Sequence, residues 1–136
     1  ELAIVIAIAS PKIVEKIVGN ITSAKIFFPN ILSPDLIYLD KDNVSMGKGN
    51  IICSGSLLSC NVCLGDFNIL NGFIPIGHDT QIGSFNSIMP AVKISGEVTI
   101  GNRNFLGVNS VVLQQIKIGN DTVIVANSLI LRKRTT

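Results

Sequence analysis

The sequence predicts a mainly β chain wound as a parallel β-helix, and three observations predict it. The first is composition: 47% of the 136 residues are apolar, only 15% are charged, and mean hydropathy is +0.52. Yet the longest unbroken apolar run, Leu2 to Ala9, falls far short of the ~20 residues a spanning helix needs. A membrane protein is excluded, which leaves a fold that turns nearly every second side chain inward. The second observation is a period of six. From Met46 onward, Ile52, Leu58, Leu64, Leu70, Ile76, Ile82, Ile88, Ile94, Ile100, Leu106, Val112, Ile118, Ile124 and Ile130 are all large and aliphatic, fifteen positions without a slip. The third is a period of eighteen, in Gly47, Gly65, Gly83, Gly101 and Gly119, and in Asn50, Asn68, Asn86 and Asn104 followed by Thr122.

A helix repeats near 3.6 residues and a plain strand at two, so neither yields six. Three short strands joined by three corners do, and eighteen residues then close one turn. Residues 46–131 make nearly five coils of such a solenoid. With parallel strands ~4.8 Å apart, its length is about 20–25 Å. One aliphatic side chain per hexad fills the axis. The position four residues later favours small or β-branched side chains, as at Val62, Ile74, Val92, Val98, Ser110, Ile116 and Ser128. The periodic glycines suit corners where φ is unusual or backbones crowd. The stacked asparagines suit an amide ladder running along the axis.

Ahead of the repeat, Leu2 to Ala9 reads as a buried strand. Ser10 and Pro11 start a helix as N-cap and first helical residue. Ile13, Val14, Ile17, Val18 and Ile21 carry its apolar face, and Gly19-Asn20 end it. Lys25 to Phe28 is a second short strand, Pro29 and Pro34 bracket a connection, and a first partial coil begins near Leu36 to Leu39. Strand, helix, strand is the tail of a small α/β domain. The division is thus 1–28 for that remnant and 29–136 for the β-helix. The chain opens on Glu1 rather than Met, which reads as processing or excision from a longer chain.

The net charge of +2 is too small and scattered for a nucleic-acid groove. The one basic run, Arg132-Lys133-Arg134, reads as a solvated tail, with a role in holding coenzyme phosphates as the minority reading. Cys53, Cys60 and Cys63 are odd in number and no export signal precedes them, which points to free thiols in the cytoplasm rather than a disulfide framework. Cys60-Asn61-Val62-Cys63 offers too few partners for a four-ligand zinc site, so the cysteines read as small apolar fillers and no metal is expected.

His78 is the only histidine. A lone histidine is usually structural, but three features single it out. Asp79 follows it directly. It lies in the middle of the solenoid, where a neighbouring subunit can cover it. Gly96 sits one coil above, where a backbone N–H can be approached. Adjacent residues on a flat strand face opposite ways, so a His78–Asp79 pair requires a corner between them.

Hexads such as Ile82-Gly83-Ser84-Phe85-Asn86-Ser87 and Ile118-Gly119-Asn120-Asp121-Thr122-Val123 resemble those of the hexapeptide-repeat transferases. The stretches from Ile76 to Phe85, from Lys93 to Gly101 and from Phe105 to Ser110 resemble the sialic acid O-acetyltransferase and UDP-4-amino-sugar N-acetyltransferase family. The resemblance covers the whole chain. It implies a left-handed coil, against the general preference for right-handed crossovers, preceded by the end of a nucleotide-sugar-binding α/β domain. It implies an acetyltransferase, cytoplasmic and serving cell-surface polysaccharide biosynthesis, that passes acetyl directly from acetyl-CoA to an amine or hydroxyl of a sugar or nucleotide-sugar. His78 is then the general base, Asp79 raises its basicity and orients it, and the Gly96 N–H meets the thioester carbonyl. Ser87, Gly96, Val108 and Ala126 occupy coenzyme-contacting positions, the first and last two from the next subunit, with Asn109 and Asn127 near the pantetheine. Ser87 departs from the pattern, since relatives can carry histidine there. The nucleotide-holding part of the first domain is not in the sequence, and with it goes the choice of sugar.

The resemblance also implies a homotrimer with active sites between subunits, and no nucleic-acid or membrane partner. Outward Phe67, Phe73, Phe85 and Phe105 would be covered by neighbours. Two other users of such coils fit less well. A γ-type carbonic anhydrase needs three histidines around its metal, and an ice-binding solenoid needs threonine columns. A non-catalytic hexapeptide-repeat scaffold is the remaining alternative.

Overall fold

A computed structural model describes residues 1–132. Short parallel strands stack into three sheets of six, six and five. The first face comprises Ile31–Leu32, Ile51–Ile52, Ile69–Leu70, Ser87–Ile88, Phe105–Leu106 and Val123–Ile124. The second comprises Ile37–Tyr38, Leu57–Leu58, Pro75–Ile76, Lys93–Ile94, Val111–Val112 and Leu129–Ile130, and the third runs from Val44–Met46 to Lys117–Ile118. Pairing is in register at eighteen residues through the repeat, as in Ile82 with Ile100 and Leu106 with Ile124. This is the parallel β-solenoid that the six-residue period requires.

The solenoid starts earlier than Leu36. Ile31 pairs with Ile51 and Ile37 with Leu57, a spacing of twenty. The two additional residues lie at one corner, where Lys41–Asn43 form a turn of 3₁₀-helix. The hexad pattern therefore runs back through Tyr38 and Leu32, displaced by that insertion.

The interior is filled by two side chains per hexad, not one. Leu58, Leu70, Ile76, Ile88, Leu106 and Val112 are fully buried, and so are Ile74, Val92, Val98 and Ser110 four residues after an aliphatic position. The residue that reverses the chain lies between them. Twelve non-glycine residues spaced by six, from Asn61 to Asn127, adopt left-handed φ values between 55° and 63°. The residues after each left-handed one can thus point inward again, which a flat strand would forbid.

The eighteen-spaced glycines serve close approach rather than unusual φ. A Cβ on Gly65, Gly83 or Gly101 would lie 2.6 Å from the carbonyl oxygen of the glycine one coil above. Beside them runs the asparagine ladder. Each Oδ1 of Asn50, Asn68, Asn86 and Asn104 accepts the backbone N–H eighteen residues on, at 2.9–3.0 Å. Each Nδ2 donates to the carbonyl of Gly65, Gly83, Gly101 or Gly119 at 2.8–2.9 Å. Asn30 begins the ladder by accepting from Asn50 N–H at 2.8 Å.

The N-terminal segment forms β1 (Leu2–Ala3), α1 (Pro11–Asn20) and β2 (Ile26–Phe27), with β1 and β2 parallel. Leu2 to Ala9 is not a buried strand: pairing stops at Ala3, and Leu2, Val5 and Ile8 are exposed while Ile6 alone is buried. Only the middle of the segment, Ile6 with the partly buried Ile4, reaches the cluster around Val14 and Phe67. Ser10 occupies the N-cap position without a side-chain cap bond. Val14 and Ile6 pack on Phe67, which stacks on Phe85 and meets Phe28 edge-on at 5.0 Å. Phe67, 4% exposed, is therefore covered by its own chain and not left for a neighbouring subunit, whereas Phe73 is exposed. Arg103 ties α1 to the solenoid, donating to Glu15 Oε1 at 3.2 Å and Asp121 Oδ1 at 2.9 Å. No helix among the described residues is long and apolar enough to cross a membrane.

Candidate active site at the second corner

His78 and Asp79 lie at the corner between the second and third faces, after Pro75–Ile76 and before Gln81–Ile82. Asp79 is a left-handed residue, with φ of 56°. This is the corner the pair required, and it folds the carboxylate back onto the ring: His78 Nδ1 lies 2.8 Å from Asp79 Oδ2. Both side chains remain about half exposed, at 46% and 48%. Asp79 Oδ1 accepts from Asn61 Nδ2 at 2.6 Å, one coil below. The Asn61 amide first, and His78 second, hold the Asp79 carboxyl below the ordinary carboxylate range. An ionised carboxylate only accepts, so His78 Nδ1 is the donor of this bond, and in the neutral ring it is Nε2 that presents a lone pair.

Gly96 stacks directly over that ring. A Cβ there would lie 2.5 Å from His78 Nε2. Glu97 N–H and Gln115 N–H donate to the His78 and Gly96 carbonyls at 2.7 and 3.1 Å, whereas the N–H of Gly96 itself has no partner among the described residues. Gly77 keeps that amide clear, since a Cβ on Gly77 would come within 2.4 Å of Gly96 N. The corner thus offers a base and, one coil away, an uncommitted N–H donor beside it.

Above Gly96 the same corner opens into a groove of about 750 Å³, lined by Ser95, Leu113, Gln114, Leu131 and Arg132. Gln114 of that lining, with Gln115, holds the Glu97 carboxylate, Gln115 at 2.9 Å and Gln114 at 3.0 Å; these two amides, Gln115 first, draw its pKa down. Of the basic run, Arg132 borders the groove, while Lys133 and Arg134 lie outside the described residues.

The remaining sequence-derived positions lie elsewhere on the chain. Val108 and Ala126 are exposed and stacked at the corner between the first and second faces, with Asn127 N–H donating to Val108 O at 2.8 Å. Asn109 and Asn127 join their side chains there at 3.0 Å. Ser87 is on the first face and only 2% exposed in its own chain, so the structure does not bring it together with those four. Cys60 and Cys63 are exposed, not core fillers, and Cys53 is half-buried. No cluster of three or more metal-ligating side chains occurs among the described residues. Asn61 was not singled out by the sequence reading, although its place eighteen residues before Asp79 was the signal for it.

Comparison with known proteins agrees with this architecture. The model of the bacterial transferase hexapeptide, six repeats, matches residues 97–132. A search of curated proteins gives no match. Among solved structures, PerB from Caulobacter crescentus in complex with CoA and GDP-perosamine superposes with a TM-score of 0.90 at 25% identity, over 96% of this chain and 62% of that one. The acetyltransferase domain of PglB from Neisseria gonorrhoeae gives 0.88 at 22% identity, over 95% and 62%. WeeI from Acinetobacter baumannii gives 0.75 at 22%, over 94% and 65%. The chain therefore spans a little over three fifths of the length of the chains it matches. The hexads, the matched repeat model and the superposition thus agree on one architecture: a run of hexapeptide repeats wound as the parallel β-solenoid that PerB and the PglB acetyltransferase domain also share.

Proposed function

We propose that the chain moves an acetyl group from acetyl-CoA to an amine or hydroxyl of a sugar or nucleotide-sugar. The observation that carries this reading is the His78–Asp79 pair, with Nε2 turned to the Gly96 backbone. His78 Nε2 takes the proton of the acceptor nitrogen or oxygen as that atom attacks the thioester carbonyl. The Gly96 N–H donates to the carbonyl oxygen as negative charge gathers there. Collapse breaks the carbon–sulfur bond, and the proton on His78 passes to the departing thiolate. Asp79 keeps Nδ1 protonated and steadies the imidazolium formed between these steps.

Val108 and Ala126 enter the site only from another copy, because the second face separates their corner from that of His78 within one chain. This favours a homotrimer with a site at each interface. Acetyl-CoA would lie along the groove above Gly96, with Arg132 near its phosphates. Ser87, covered by its own chain, is given no contact. The likeness to PerB, seen with CoA and a nucleotide-sugar, supports the donor and the acceptor class.

Calorimetric titration of acetyl-CoA into the protein and into Gly96→Trp tests the reading. Binding near one site per chain, lost in the variant, is expected. Thiol release on adding an amino-sugar nucleotide should then disappear in His78→Asn. A folded protein that binds no acetyl-CoA would instead be a non-catalytic scaffold.

A further inference from the structure

We propose that Asn61 is a positioning residue that sets the tautomer of His78 through Asp79. The left-handed corner residues at this edge form a column, Asn61, Asp79, Glu97 and Gln115, each eighteen residues from the next. Two carboxylates stand next to each other in it, and each has found an amide facing away from the other. Asn61 Nδ2 donates upward to Asp79 Oδ1 at 2.6 Å, while Glu97 takes its bonds from Gln115 and Gln114 above. Asp79 is therefore held from below, and its second oxygen is left to His78 Nδ1 at 2.8 Å.

Without Asn61 the Asp79 carboxylate is half exposed and free to rotate into water. Its hold on Nδ1–H then weakens, and the proton redistributes between the two ring nitrogens. A proton on Nε2 removes the lone pair from the edge that faces Gly96. The Asn61 side chain hydrogen-bonds Asp79 and, among the described residues, neither the ring nor Gly96, so its influence runs through Asp79.

The consequence for turnover rests on the transferase reading above, but the tautomer does not, and the test separates them. The chain has one histidine, so its imidazole resonances need no assignment. The probe is the pair of ring ¹⁵N shifts in the neutral imidazole, in wild type, Asn61→Gly and Ala91→Gly. Asn61 has φ of 56° and Ala91 has φ of 63°, so glycine suits both backbones, and Ala91 lies at a different corner. The expected result is a dominant Nδ1–H form in wild type and Ala91→Gly, and at least a twofold loss of its excess over Nε2–H in Asn61→Gly. In the transfer assay, kcat should fall about threefold to tenfold, the range of a partial loss of base, with KM for acetyl-CoA unchanged. Identical ring shifts in wild type and Asn61→Gly would overturn the proposal. A shifted tautomer in a protein with no transferase activity would uphold Asn61 as the positioning residue and sink the transferase reading instead.

Discussion

Replacing Gly96 with alanine should disable the site while sparing the fold. The added Cβ would lie 2.5 Å from His78 Nε2 and 2.8 Å from Cδ2 and Cε1, where ordinary contact begins at 3.4 Å. All three atoms belong to a side chain that is about half exposed, so the ring moves and the coil does not. Nor does the backbone object, because Gly96 is not among the left-handed residues. At such a position glycine to alanine alters stability by less than about 1 kcal/mol, and the reduced freedom of the unfolded chain favours alanine. Relief of the clash needs a ring displacement of roughly 1 Å, a misplacement that costs on the order of 100-fold in rate, or about 2.7 kcal/mol in the barrier. Steady-state transfer from acetyl-CoA, read as thiol release, should show kcat/KM lowered by that factor, while the thermal melt stays within a few degrees of wild type. Retention of kcat/KM within threefold would refute the argument, because a base seated against Gly96 cannot tolerate that methyl group unmoved.

Three other perturbations probe the scaffold. Asn86→Ala removes the acceptor of Asn104 N–H and the donor to Asn68 Oδ1 and Gly101 O. Asn68 Oδ1 keeps the backbone N–H of residue 86, but Asn104 N–H and Gly101 O lose these bonds at about 1–3 kcal/mol each, so urea unfolding should show a loss comparable to the ~2–5 kcal/mol of Leu106→Ala. Gly83→Ala forces a Cβ to 2.6 Å from Gly101 O, whereas a Cβ on Gly119 meets nothing within 4 Å. The first substitution should lower the melting temperature clearly and the second should not. Asp35 accepts from Ser33 Oγ and Ser54 Oγ, and these bonds, Ser33 first, hold its carboxyl below the ordinary value of 3.8. A depressed folded pKa contributes stability above 3.8 that is lost as pH falls through the lowered value. Asp35→Asn should therefore melt earlier than wild type at neutral pH, with the gap closing in acid; a gap that persists there would count against the pairing.

The repeat was legible because a solenoid presents the same inward position every six residues, and composition alone cannot imitate fifteen successive hits. What broke the reading was local. Leu32 and Tyr38 obey the pattern, but the two residues accommodated near Lys41–Asn43 shift them out of step. The left-handed corners were invisible for a different reason. Phenylalanine, arginine, glutamate and glutamine occupy them as well as asparagine and aspartate, because stacking against adjacent coils outweighs a local preference of roughly 1–2 kcal/mol. Phe67 was misread because an outward apolar side chain looks alike whether another subunit or the chain's own helix covers it. His78 and Asp79 were legible as a pair, and the corner between them followed from strand geometry. Asn61 lacked any mark except its register.

One of the three corners differs from the other two in how its backbone is closed. At the corner between the third and first faces, the N–H two residues after each aliphatic position is satisfied by a side chain from the coil above. Lys48 N–H donates to Asp66 Oδ1, Asp66 N–H to Ser84 Oγ, Ser84 N–H to Asn102 Oδ1 and Asn102 N–H to Asn120 Oδ1, all at 2.7–2.9 Å. That edge is sealed, and the N-terminal segment packs beside it through Phe67 and Phe85. The matching N–H groups at the other two corners, among them those of Gly72, Val108 and Ala126 at the first and of His78 and Gly96 at the second, have no such partner among the described residues. The counterpart of Gly96 one coil above is Gln114, whose side-chain N–H donates to Glu97 and whose Oε1 does not take up the Gly96 N–H. Short side chains that could close the amide are replaced there by histidine, glycine and glutamine. A backbone donor left open in a stacked coil carries a cost in stability, and at Gly96 the coil below places the His78 ring against it. Of the two corners whose backbone donors stay open, the second is the one that sets the chain's single imidazole against one of them, and that juxtaposition is what Gly96→Ala tests.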